Sequence, residues 1–284
     1  MSGRIVPGSG RAILGEGPIW SARHDAVFWV DILGRRVRRL SLATGEVTAW
    51  DMPEPIGWLI ERADRDDFIA GLATGFVKLS LDPVSIRAIV DPEPDRIENR
   101  MNDAKADPAG RIWAGTMPFS CEGASGSFYR LDPDFTVARV DGPYTIPNGP
   151  AMAPDGRSLF HTDSKLSTVF RFAVNDDGSL GPRAPHIVFP AEWGSPDGMT
   201  LDADGGLWIA HWGTGQVSRF DPTGARERSI ALPASQITSM TFAGPALDRM
   251  FVTSAADGVE EADAGALFEV DPGCRGLPTL PFGG

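Results

Sequence analysis

The segments Gly198-Met-Thr-Leu-Asp202, Leu207-Trp-Ile-Ala210, Gln216-Val-Ser-Arg-Phe-Asp-Pro222 and Ser229-Ile-Ala-Leu232 follow one another with only short breaks. The breaks are Ala203-Asp-Gly-Gly206, the glycine-bearing loop from Trp212 to Gly215, and Thr223-Gly224. Asp-Gly, Gly-Thr-Gly and Pro-x-Gly punctuation between apolar runs of four to seven residues reads as turns between short strands. This stretch therefore predicts a four-stranded antiparallel unit. Outward from it, the same grammar recurs. The second-strand pair Leu207-Trp208 has counterparts at Phe28-Trp29, Phe68-Ile69, Ile112-Trp113, Leu159-Phe160 and Met250-Phe251, spaced 40, 44, 47, 48 and 43 residues apart. The third strand recurs as Val37–Leu40, Phe76–Leu79, Phe128–Leu131, Val169–Phe172, Val217–Phe220 and Leu267–Val270.

Repeats of about 40–50 residues with four strands each are the mark of propeller blades. A β-sandwich would show turns at similar density, but it has no need of six self-similar units. The expectation is an all-β, six-bladed β-propeller of four-stranded antiparallel blades forming a single domain over residues 1–284. Trp29, Trp113 and Trp208 then pack between blades. No segment carries the periodicity of an amphipathic helix of ordinary length.

Composition excludes several classes. Net charge is −12, with 33 glycines and 24 prolines beside 42% apolar residues, which means many turns around a substantial core. Nucleic acid needs a positive footprint, which is missing. No run approaches the ~20 apolar residues that span a bilayer, and Met1–Gly10 lacks the apolar core of a signal peptide. A cytoplasmic protein with no membrane partner is the expectation. Cys121 and Cys274 form no C-x-x-C and read as two free thiols. There is no Walker loop, no strand-linked G-x-G-x-x-G and no G-x-S-x-G elbow.

The chemistry lies at the start of the first strands. Glu16, Asn102, Asn148 and Asp197 occupy one register of four repeats; the second offers nothing acidic near Gly57 and the sixth offers Thr238 and Ser239. Radial symmetry would bring these positions to a common axis. A polar residue beside glycine is most often turn chemistry, but turn chemistry does not explain a shared register. Two carboxylates and two carboxamides are hard oxygen donors that suit one divalent cation: Ca2+, Mg2+ or Mn2+, with Fe2+ or Zn2+ also able to bind. His161 and His211 lie in second strands and read as satisfied blade residues. A cation with open positions polarises a carbonyl and acidifies water, with a carboxylate as general base. On the residues alone, this is metal-assisted attack on a carbonyl or phosphoryl centre. Trp58 faces the mouth as either pocket wall or packing. The loop Pro118–Gly126 is either a lid or a solvated connection.

The strings Leu14-Gly-Glu-Gly-Pro-Ile-Trp20, Asn99-Arg-Met-Asn-Asp103, Gly115-Thr-Met117, Asn148-Gly-Pro150 and Pro196-Asp-Gly-Met199 resemble the gluconolactonase/regucalcin (senescence marker protein) family. The stretch from Asn148 to Asp163 is closest in character to bacterial sugar-lactone hydrolases. The resemblance implies one catalytic divalent metal held by Glu16, Asn148 and Asp197, with Asp197 also the general base. Arg100 and Asn102 match the pair that contacts substrate hydroxyls, and Glu122 falls where some members place a substrate-contacting glutamate. The implied reaction is hydrolysis of a small-molecule sugar lactone, pentono- or hexono-, to the aldonic acid in sugar catabolism. Two other readings keep the propeller: a phosphotriesterase or aryl-lactonase using the same metal site, and a non-catalytic calcium-binding propeller.

Overall fold

The computed structural model describes residues 3–284 and contains six four-stranded antiparallel sheets. Blade one runs Gly15–Ser21, Ala26–Asp31, Arg36–Ser41 and Val47–Asp51, from axis to rim. The innermost strands of blades two to six are Ile56–Glu61, Asn99–Ala106, Pro147–Met152, Ser195–Leu201 and Ile237–Ala243. Second strands are buried along their whole length in several blades, as in Ala26–Asp31, while outer strands such as Arg226–Ala231 are mostly exposed. That gradient is what a half-covered blade edge requires. Helix is confined to two three-residue turns, Ser164–Leu166 and Ala191–Trp193, and none among the described residues is long and apolar enough to cross a membrane.

Blade six departs from the expectation that each repeat supplies its own four strands. Its outer strand is Arg4–Ile5, which pairs with Phe268–Val270. The N-terminus thereby closes the ring. The C-terminal segment adds a second tie. Ala203 N donates to Arg275 O, Gly276 N to Leu247 O, Phe282 N to Glu61 O and Gly283 N to Gly110 O. The segment thus spans from blades five and six to blades two and three. Leu277 and Leu280 line a cavity of about 240 Å3 together with Ile60, Ala106, Leu201 and Phe242, at or next to the last residues of the inner strands.

The tryptophans pack between neighbouring blades. Trp29 meets Trp20, Phe251 and Leu267; Trp113 meets Leu159, Phe170 and Phe172; Trp208 meets Met240, Phe242 and Met250. Trp58 packs too. It is 1% exposed, lies edge-on to Phe76 at 5.7 Å, and fills the space that a side chain at Gly71 would need.

Candidate active site and metal centre

All six innermost strands share one irregularity. Each holds one extra residue relative to its second strand, between Glu16 and Ile19, Ile56 and Trp58, Met101 and Ala104, Asn148 and Ala151, Pro196 and Met199, and Ile237 and Ser239. A bulge of this kind bends the strand and re-aims a side chain. Here it occurs at the axis in every blade, at or next to the register read from the sequence. The bulges also lean on one another. Gly149 has φ +43°, and a Cβ there would lie 2.7 Å from Met199 N and 3.0 Å from Asp197 O of the next blade. Only glycine lets blade four approach blade five so closely.

The strand ends are held by carboxylates in the blade bodies. Asp31 accepts from Ile13 N (3.1 Å) and Leu14 N (3.0 Å), two residues before Glu16. Asp163 accepts from Thr145 N (3.0 Å) and Ile146 N (3.2 Å), two residues before Asn148.

These devices bring Glu16, Arg100, Asn102, Asn148 and Asp197 onto a single cavity of about 390 Å3, with each of the five residues buried. A polar relay crosses three blades. Arg100 Nη1 donates to Asn102 Oδ1 (2.7 Å). Asn102 Nδ2 donates to Asn148 Oδ1 (2.7 Å) and Pro147 O (2.7 Å). Asn148 Nδ2 donates to Ser164 Oγ (2.9 Å), whose hydroxyl donates to Pro196 O (2.6 Å). Because the Ser164 hydrogen is committed to Pro196, the amide nitrogen of Asn148 must face Ser164. Its oxygen then faces Asn102, with a second lone pair left over.

The carboxylates are the opposite case. Asp197 Oδ1 is buried and has no hydrogen-bond partner among the described residues. Its carboxyl is raised well above the usual range, first by burial and then by repulsion from Glu16 and Asp103. Glu16 is pushed up to about 8 by burial and by Asp103, against a hydrogen bond from Gly17 N at 3.0 Å and the positive charges of Arg100 and Lys105. Asp103 accepts from Ala104 N (2.7 Å) and Gly149 N (2.8 Å), yet burial still raises it. Burial depresses the Arg100 guanidinium in turn. Arg100 is thus a buried cation facing two buried acids, Glu16 and Asp197, with Asp103 repelling both of them. Among the described residues, no three His, Cys, Asp or Glu side chains gather as a metal cluster by themselves, so a cation here needs amide oxygen as well.

Two of these residues lay outside the sequence reading. Asp103 is adjacent to Asn102, and a search for one polar residue per strand passes over it. Ser164 lies on the turn after the second strand of blade four, and its neighbour Lys165 also lines the cavity. Glu122 does not line it. Its side chain is 72% exposed and pairs with Lys165 Nζ at 2.8 Å, while Phe119 and Cys121 of the same loop wall the cavity. The loop Pro118–Gly126 thus contributes wall, and Glu122 ties blade three to blade four at the rim. Cys121 and Cys274 are unpaired among the described residues. His161 is core, as read, but unsatisfied. Both ring nitrogens lack partners among the described residues, and the ring stacks on Phe128 at 3.8 Å.

The SMP-30/gluconolactonase/LRE-like region model matches residues 14–256. Regucalcin of Gallus gallus is 35% identical over 291 residues, covering 98% of this chain and 97% of the relative. Pentonolactonase XacC of Haloferax volcanii is 35% identical over 295 residues, covering 97% and 96%. The solved structure of a calcium-binding protein, regucalcin, from Agrobacterium tumefaciens superposes with a TM-score of 0.93 at 27% identity, over 99% of this chain and 97% of that one.

Proposed function

The chain belongs to the SMP-30/gluconolactonase/LRE-like family, and from that premise we propose that it hydrolyses a sugar lactone, pentono- or hexono-, to the aldonic acid with the help of one divalent cation. The observation that carries the reading is Asp197 Oδ1, an unpartnered buried carboxylate oxygen on the cavity it shares with Glu16 and Asn148. Buried acids this poorly solvated are a functional signature more than a structural one. A pentonolactonase at 35% identity supports the substrate class, and the calcium-binding regucalcin structure supports a divalent ion.

Glu16, Asn148 and Asp197 would hold the cation. Their donors are all oxygen, two of them carboxylates whose mutual repulsion a cation would relieve, and the spare lone pair of Asn148 Oδ1 completes the set. When bound, the ion polarises the lactone carbonyl. The remaining work belongs to the chain. Asp197 takes a proton from water as the water oxygen bonds to the carbonyl carbon. The ring carbon–oxygen bond then breaks, and the ring oxygen leaves as a hydroxyl once it regains that proton. Arg100 supplies positive charge beside the developing oxyanion and donors for substrate hydroxyls. Both donors of Asn102 are already engaged, so Asn102 offers the substrate one Oδ1 lone pair and otherwise holds Arg100 and Asn148 in place.

The test is acid release over a panel of aldonolactones, measured against the uncatalysed opening, with chelated protein re-loaded with single divalent ions. Acceleration by the wild type and none by Asp197→Ala is the expected result. Undiminished turnover in a folded Asp197→Ala protein overturns the assignment.

A further inference from the structure

The polar groups of the cavity come chiefly from the inner-strand bulges and the turn after Asp163. The rest of its wall is largely apolar, with Leu14, Leu33, Met117, Phe119, Ile146 and Trp212 beside Cys121, Ser195 and Asp257. Phe119 is 44% exposed and so reaches from the wall to the mouth, where Lys165 and Ser167 also lie. That polar floor under a collar of Leu33, Met117 and Phe119 also suits a ring substituent that carries no hydroxyls. Each hydroxyl pressed against Met117 or Phe119 loses water without gaining a partner. At about 390 Å3 the cavity is also within the range that takes ligands larger than one small ring.

Resting on the lactone-hydrolase reading above, we propose that the same site hydrolyses lactones that carry an apolar alkyl chain on the ring carbon bonded to the ring oxygen, with the chain lying along the collar. In a pentono-1,4-lactone or a hexonolactone that carbon bears the remainder of the chain. With the carbonyl against Asp197 and Arg100 on the floor, the substituent points to the mouth. The bonds made and broken are those of the sugar lactone: water oxygen to carbonyl carbon, ring carbon–oxygen cleaved, one water proton to the ring oxygen and one released with the carboxylate.

The experiment uses δ-lactones with hydrogen, methyl, propyl or pentyl at that carbon, below their aggregation limits, beside a bare aldonolactone. The unreactive δ-lactams of the same series are titrated by calorimetry, which reads binding without turnover. Each methylene leaving water should raise kcat/KM, and lactam affinity in parallel, roughly two- to fourfold until the collar is filled. Phe119→Ser should flatten that slope. Leu33→Asn, on a different blade, is the second variant should the first fail to fold. An aldonolactone turned over while the alkyl series stays flat or falls overturns this inference and leaves the parent reading standing. No lactone of either kind turned over overturns both. A slope unchanged in both folded variants also overturns it, because the chain then lies elsewhere than the collar.

Discussion

Asp197 and Asp202 lie at opposite ends of the inner strand of blade five, Ser195–Leu201, and their environments could hardly differ more. Both are buried. Asp202 accepts from Gly206 N (2.8 Å), Asp204 N (3.0 Å), the Trp208 indole (2.9 Å) and Arg219 Nε (2.6 Å). Burial alone would lift its pKa, but the Arg219, Gly206 and Trp208 hydrogen bonds outweigh it and hold the carboxyl below the usual range. Asp197 has a bare Oδ1 and two acidic neighbours, and it is pushed up. Blade three repeats the satisfied arrangement, with Asp107 accepting from the Trp113 indole (2.8 Å) and Arg111 Nε (2.7 Å). One end of the strand holds a fully satisfied carboxylate, and the other an unpartnered carboxylate oxygen.

The sharpest way to break this comparison is Asp197→Asn. Loss of the general base should lower lactone turnover by about 10²–10⁴. The same change removes one of three repelling buried acids, so the metal-free protein should melt higher than wild type. A lower melting temperature would mean that Asp197 is a structural aspartate like its neighbour.

Asp202→Ala should do the reverse. It leaves the Arg219 guanidinium and the Trp208 indole without their shared acceptor, a loss of about 3–5 kcal/mol for a buried pair deprived of one partner. Urea unfolding should show a lower midpoint at an unchanged slope, while cation affinity holds. A cation titration then sharpens the contrast. Saturating a divalent ion at 100 times its dissociation constant should stabilise wild type and Asp202→Ala alike by ~2.7 kcal/mol, and Asp197→Asn far less.

The same contrast explains what could be read from the sequence. The blades were legible because six pairs such as Leu207-Trp208 recur at a nearly constant interval, and interval alone identifies a propeller. Glu16, Asn102, Asn148 and Asp197 were legible because they fall within one residue of a common register. The bulge that aims them was not, since one extra residue in a strand leaves no mark beyond a glycine or proline that any turn would also carry. Asp103 was hidden by adjacency to Asn102. Arg4–Ile5 was hidden by being two residues long and far from the blade it completes. Phe282 belongs to no repeat, yet it is fully buried. The burial of Trp58 depends on space left by Gly71, a contact between strands that no single stretch reveals.

His161 is one of several buried polar side chains away from the axis that lack a partner among the described residues. It lies in a blade body, fully buried, stacked on Phe128 and edge-on to Tyr144 at 4.8 Å, with no partner for either nitrogen among the described residues. A ring so placed must be neutral, and burial, aided by Arg183, holds it at about 3 against an ordinary value of 6.5. The unfolded chain therefore binds about one proton more than the native state between those limits, so stability falls as pH drops through that window. Asp202 acts lower: its contribution is present above the usual carboxylate range and is lost only as pH falls through its depressed native value. His161→Phe should accordingly flatten the acid limb of the melting temperature between pH 6 and 4.5, by up to about one bound proton, with Asp202 contributing only further down. An acid limb identical in wild type and His161→Phe would mean that the ring finds a partner when protonated, and that blade bodies accommodate a buried charge as the axis does.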